Sequence, residues 1–207
     1  MKNIAQKGRS MVEMLGVLAI VGVLSVGAIA GYSKAMMKYK LNKQTQQIGS
    51  ILDYVTLHMD DLKRVKTEAR GNLKPLLTSL GAIPQEMIKK TGDQTLIWDV
   101  FNTPVAVSNY TSDGNYTFEL KVSIHQNKKD SCMNLFQIAK LRSAMLWRSR
   151  LQYTQNSTVG TSGIAAGDAY CPGSSKCLKD MTLSEMEDSC NACNDKDTCI
   201  FYFQVKL

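Results

Sequence analysis

The clearest pattern in this chain is the stretch Met14–Gly31, 18 residues whose only polar side chain is Ser25. Such a stretch is long enough to cross a bilayer as a helix, at the short end of the range. Gly16, Gly22, Gly27 and Gly31 punctuate it, and membrane helices tolerate glycine better than soluble ones do. Beyond it the pattern becomes amphipathic. Tyr32, Ala35, Met36 and Tyr39 share one helical face, and Ile48, Leu52, Val55, Met59 and Leu62 recur at spacings of four and three, the helical period. No proline occurs before Pro75, so nothing forces a break. The pattern predicts a continuous helix from about Ser10 to Arg64, roughly 80 Å at 1.5 Å per residue. Its first half suits an apolar medium such as lipid, and its second half carries a globular domain on its apolar stripe.

The remaining pattern alternates short elements. Leu73–Leu80 has helical spacing and Gly81 is a stop signal. Pro84 fits the first turn of a helix over Pro84–Lys90. Strand signals follow at Thr95–Phe101 and Val105–Ser108. After the turn signal Ser112-Asp113-Gly114-Asn115, Tyr116–Ile124 alternates as a half-buried antiparallel strand. Ser131–Leu151 reads as a second long helix, capped by Asp130 or Ser131. Residues 152–176, rich in Ser, Thr and Gly, read as an exposed loop. Leu183–Cys190 reads as a short helix capped by Thr182, and Thr198–Val205 as a closing strand. The expected class is α+β: a long N-terminal helix packed on an antiparallel sheet, with a disulfide-tied C-terminal region.

Charge changes the picture at one end. Residues 1–70 carry 11 Lys/Arg against 5 Asp/Glu, and residues 71–207 carry 14 against 13. The basic excess therefore belongs to the apolar segment and its flanks, where it suits anionic headgroups. No specific nucleic-acid partner is expected. All 6 cysteines lie between Cys132 and Cys199, a pattern that reads as disulfides in an oxidising compartment. A structural zinc site on Cys171, Cys177, Cys190 and Cys193 is a competing reading, weakened by the wide first spacing. His58 and His125 lack an evident catalytic partner, and no phosphate loop, nucleophile elbow or metal-binding His cluster occurs. Neither enzymatic activity nor a cofactor is expected.

The N-terminus allows three readings. Lys2, Lys7 and Arg9 before the apolar run fit a plain signal anchor. Ala28-Ile29-Ala30 fits cleavage of a conventional signal peptide before Gly31. In the third reading the chain is cut after Gly8 on the cytoplasmic side and the apolar segment is kept. Glu13 carries this reading. A carboxylate at the mouth of a membrane segment is costly, and after such a cut it lies one helical turn from the new amino terminus, Arg9. There it can neutralise the terminal amine of a neighbouring subunit, removing the cost of burying either charge alone.

The stretch Gly8-Arg9-Ser10-Met11-Val12-Glu13-Met14-Leu15 with its apolar continuation resembles the class III signal of type IV pilins and pseudopilins. The resemblance implies a leader of residues 1–8, cleavage between Gly8 and Arg9 by a prepilin peptidase, N-methylation of Arg9, and Glu13 as the assembly glutamate. Arg9 is basic where that family has a hydrophobic first mature residue. It further implies a helix over 9–64 with a membrane segment at about 11–31, and a globular domain over 65–207. Gly81-Ala82-Ile83-Pro84, Trp98–Pro104 and the helix bearing Cys132 are similar to the type IVb subgroup. By that resemblance Cys132 pairs with Cys199, closing a loop worth about 4 kcal/mol in the chain-entropy model. Cys171, Cys177, Cys190 and Cys193 are left with three connectivities open.

The expected function is a structural subunit of a type IVb-like pilus, held in the inner membrane and then polymerised into a surface filament. Its implied partners are identical subunits, the peptidase, an assembly ATPase and a membrane platform. A minor pilin, or a secretion pseudopilin in a periplasmic pseudopilus, would use the same N-terminus. A secreted cysteine-rich binding module released after Ala30 is the alternative from another class.

Overall fold

A computed structural model describes residues 11–64, 70–112, 115–125, 128–171 and 176–207. The chain forms two compact units, divided between Lys40 and Leu41. The boundary falls within helix α1, Met11–Leu57. Its residues 11–35 are all exposed. From Gln44 onward α1 is a core helix, with Ile48, Ile51, Leu52 and Val55 fully buried. A single turn residue, His58, separates α1 from α2, Met59–Arg64. The His58 amide donates to the Tyr54 carbonyl and its own carbonyl accepts from the Leu62 amide, so hydrogen bonds bridge this interruption.

Helix α1 packs on an eight-stranded antiparallel sheet. Strands β2 (Ile88–Thr91), β3 (Gln94–Trp98), β4 (Pro104–Ser112), β5 (Asn115–Ser123), β8 (Thr198–Lys206), β6 (Arg148–Gln155) and β7 (Thr158–Ala166) lie side by side in that order. The short β1, Arg70–Asn72, pairs with the part of β4 that β3 leaves uncovered. Alternation decides the faces. Phe118, Leu120 and Val122 of β5 and Phe201, Phe203 and Val205 of β8 point to the core, where α4 (Lys129–Leu141) adds Leu135, Phe136 and Ile138. The Phe136 ring meets Phe201 edge-on at 4.7 Å, a favoured aromatic geometry.

A buried polar cluster joins these layers. Asp99, in the turn between β3 and β4, accepts from the Phe101 and Thr103 amides and the Thr103 hydroxyl through Oδ1, at 2.8 to 3.0 Å. Its Oδ2 accepts from Gln44 Nε2 at 2.8 Å. Gln44 also donates to Ser131 Oγ and accepts from Asn134 of α4, while Gln47 takes the Val100 amide. Each partner offsets a desolvation cost that its neighbour would otherwise carry.

Sequence signals located several elements. Helix α3, Lys74–Ser79, stops at Gly81, whose φ of 71° suits glycine. The Gly81 and Ala82 amides close it onto Thr78 and Leu77 in the Schellman pattern. Helix α5, Leu183–Asn191, begins at Thr182 with a full capping box to Glu185.

Three expectations are corrected. Pro84–Lys90 forms only a 3-10 turn, Gln85–Met87, before β2 begins. The helix expected over Ser131–Leu151 ends at Leu141, and residues from Arg148 are β6. Ser149 and Leu151 are fully buried on the inner side of that strand, while Arg148 and Arg150 point out. The expected loop over 152–176 is largely the β6–β7 hairpin. Its small residues are packing requirements: a Cβ at Gly160 would lie 2.4 Å from the Tyr153 ring, and one at Gly167 would lie 1.7 Å from the Leu146 carbonyl oxygen.

Candidate functional site

Three features carry the candidate chemistry, and each is built locally. The first is the start of α1. Glu13 lies in its first turn, where a carboxylate complements the helix dipole. Gly8 and Arg9 lie outside the described residues. The side chains after Glu13 are apolar on every face: Met14, Leu15, Leu18, Ile20, Val23, Leu24 and Val26 are all more than half exposed. Among the described residues, α1 is the one helix long and apolar enough to cross a membrane. By length and composition it fits a membrane anchor or a signal sequence.

The second feature is the disulfide set. Cys132, in the first turn of α4, pairs with Cys190 near the end of α5, their Cα atoms 5.9 Å apart. This corrects the expected Cys132–Cys199 bridge. Helix α5 packs against α4, so Cys190 reaches Cys132. Cys199, at the start of β8, faces the turn after α5, where Cys193 lies at a Cα distance of 5.7 Å. Cys171 pairs with Cys177 at 5.5 Å. All three spacings fit ordinary disulfide geometry. Every cysteine is so used, which removes the thiolates of the zinc alternative. Among the described residues no group of three or more His, Cys, Asp or Glu is placed to hold a metal ion.

The third feature depends on β6, whose sequence carries a helical pattern and no strand signal. On the outer face of the sheet, register aligns Lys121 with Tyr202 and Tyr202 with Arg150. It also aligns Glu119 with Gln204 and Gln204 with Arg148. Glu119, only 6% exposed, accepts from Gln204 Nε2 and ion-pairs with Lys121 Nζ at 3.1 Å, with Arg150 Nη2 3.8 Å away. Gln204 in turn accepts from Arg148 Nε. The Arg150 guanidinium sits 4.3 Å from the Tyr202 ring and Arg148 sits 4.2 Å from Trp147. Lys121 approaches Tyr202 from 5.6 Å, within cation–π range. The cluster fixes several cations around one carboxylate.

Two exposed carboxylates are held below their ordinary range. A hydrogen bond from Lys43, at 2.8 Å, lowers Glu86. Glu185 is lowered to about 2, first by its hydrogen bond from Lys176 and then by the Thr182 amide and hydroxyl of the capping box. No protein-family model, curated protein or solved structure matches the chain.

Proposed function

We propose that this chain is a structural subunit of a type IVb-like filament, made as a prepilin, cut between Gly8 and Arg9, and polymerised through its N-terminal helix. The observation that carries the proposal is the composition of α1. One uninterrupted helix begins with Glu13 in its first turn, continues through residues exposed and apolar on all sides, and ends in Ile48–Val55 of a disulfide-tied core. An ordinary amphipathic helix needs one apolar stripe. A helix apolar all round needs lipid or other helices. In the bilayer it has the first, and in a fibre core it has the second, with Glu13 matched to the terminal amine of a neighbour. The proposed partners are identical subunits, the peptidase, an assembly ATPase and a membrane platform. Localisation would pass from inner membrane to surface filament.

Intact mass and N-terminal sequencing of the mature chain, from cells bearing a prepilin peptidase, test this. A start at Arg9, methylated or not, is expected. A start at Gly31 would overturn the reading, because the assembly segment would have been discarded. An uncut Met1 would leave a signal anchor.

A further inference from the structure

Strand β4 changes partners along one edge. Strand β3 pairs with it at Pro104 and Val105, and β1 pairs with it from Ser108 to Tyr110. Residues Gln94–Leu96 of β3 pair only with β2. A notch therefore opens between β3 on one side and β1 with α3 on the other. It has two parts that share Asn72 and Lys74 at their border. One part, about 480 Å³, has Leu96, Trp98, Pro104 and Ala106 as its floor. Register puts these four on the outer face of the sheet, and the Lys89 ammonium lies 5.0 Å from the Trp98 ring. The other part, about 710 Å³, is polar, with Asp93 and Gln94 across from Lys74 and Ser79 of α3. Ligand sites span about 300–1,000 Å³. Four charged residues line the notch, Lys74 and Lys121 against Asp93 and Glu119, so it carries no net charge. Lys121 is paired with Glu119. Among the described residues, Lys74 and Asp93 have no ion-pair partner.

We infer that this notch binds a neutral oligosaccharide, with one pyranose lying on the Trp98 floor and the next hydrogen-bonded between Lys74 and Asp93. A pyranose is apolar on its C–H faces and polar around its rim. The floor offers an aromatic ring and aliphatic carbon to such a face. The polar part offers an ammonium donor, a carboxylate acceptor and the Gln94 amide to the hydroxyls. Other occupants match less of the notch. A polyanion meets no net positive charge in it. An acyl chain would cover Lys74 and Asp93 without giving them partners. A peptide adding as a strand would find only Gln94–Leu96 of β3 and Ala106 and Val107 of β4 open on this side, and the Val107 carbonyl already accepts from the Leu73 amide. The inference goes beyond the filament reading and does not depend on it, because every residue of the notch belongs to the globular unit.

The test uses full-length chain in lauryldimethylamine oxide, a detergent without a sugar headgroup. The chain has 2 tryptophans, so Trp147→Phe leaves Trp98 as the reporter. The probes are neutral hexasaccharides of glucose, galactose, mannose and N-acetylglucosamine, with heparin as the polyanion. At least one neutral hexasaccharide is expected to change Trp98 emission and to saturate. Asp93→Ala and Lys74→Met should each weaken that binding about tenfold. Ala106→Phe fills the floor from an exposed position and should abolish it with thermal unfolding unchanged. No response to any neutral hexasaccharide, from a chain that unfolds normally, would overturn the inference. So would binding that all three substitutions leave unchanged. Binding of heparin alone, removed by Arg148→Gln with Arg150→Gln, would overturn it and move the ligand to the cation row beside Glu119. The mass measurement that tests the filament reading is untouched by each of these outcomes.

Discussion

The two halves of α1 obey different rules. Over residues 11–35 every side chain is exposed, and most are apolar. Over residues 44–55 the helix sorts its faces, burying Ile48, Ile51, Leu52 and Val55 while Asp53 stays exposed to pair with Arg142. The second half is finished: its apolar stripe has a sheet and α4 to lie against, and its polar groups Gln44 and Gln47 have partners. The first half has hydrocarbon on all sides and reaches a low free energy only in another apolar medium. Substitutions there should therefore affect association, and substitutions in the second half should affect folding.

The largest expected effect falls on assembly. Glu13→Ala should abolish filament formation in an envelope assay while the thermal unfolding of the globular unit stays within experimental error. Equal filament yield would break the comparison. Next comes the bridge between α4 and α5. Replacing Cys132 and Cys190 with serine opens a loop of sequence separation 58 and should cost about 4 kcal/mol. The corresponding change at Cys171 and Cys177, separation 6, should cost about 2 kcal/mol. Urea unfolding of the three forms gives both numbers, and the reverse order would contradict the observed pairing. Leu52→Ala should then destabilise the globular unit by about 2–5 kcal/mol, as fully buried leucines do. Leu18→Ala, in the exposed half, should change unfolding by less than about 0.5 kcal/mol.

The smallest effect is a pH dependence far from α1. Glu185 ionises at about 2 when folded, against an ordinary value of 4.5. Its hydrogen bonds with Lys176 and Thr182 therefore contribute stability in full above the ordinary value, and lose it as pH falls through about 2. In an acid titration followed by circular dichroism, Glu185→Gln should remove that part of the slope and leave the part that Glu86 contributes. An unchanged slope would assign it to other carboxylates.

Much of this fold is legible in the sequence because its elements announce themselves locally. Residues 116–124 alternate cleanly, Thr182 and Glu185 are spaced as a capping box, the apolar run is unbroken, and the stripe after it follows the helical period. The stretch from Arg142 to Ala166 is different. In β6 the outward positions hold Arg148 and Arg150, whose stems cover the sheet as a helix-forming Arg would cover a helix. In β7 the residues are small because Tyr153 and Phe136 occupy the space above Gly160 and Gly163. Neither reason is visible until the neighbouring strand is known. Without β6 the cation row beside Glu119 has no geometry from which to be inferred, and without the packing of α5 on α4 the Cys132–Cys190 bridge has none.

Strand β8 follows β5 and β6 in the chain but lies between them in the sheet, with a hydrogen-bonded neighbour on each side. It supplies Phe201, Phe203 and Val205 to the core and Cys199 to a disulfide. Polypeptides are made from the N-terminal end. Until these residues have been synthesised, β5 and β6 have no strand to join them, and that core stays open. The globular unit is therefore completed last at its middle. A truncation of only Thr198–Leu207 should leave two half-sheets, a more damaging outcome than losing the edge strand β2.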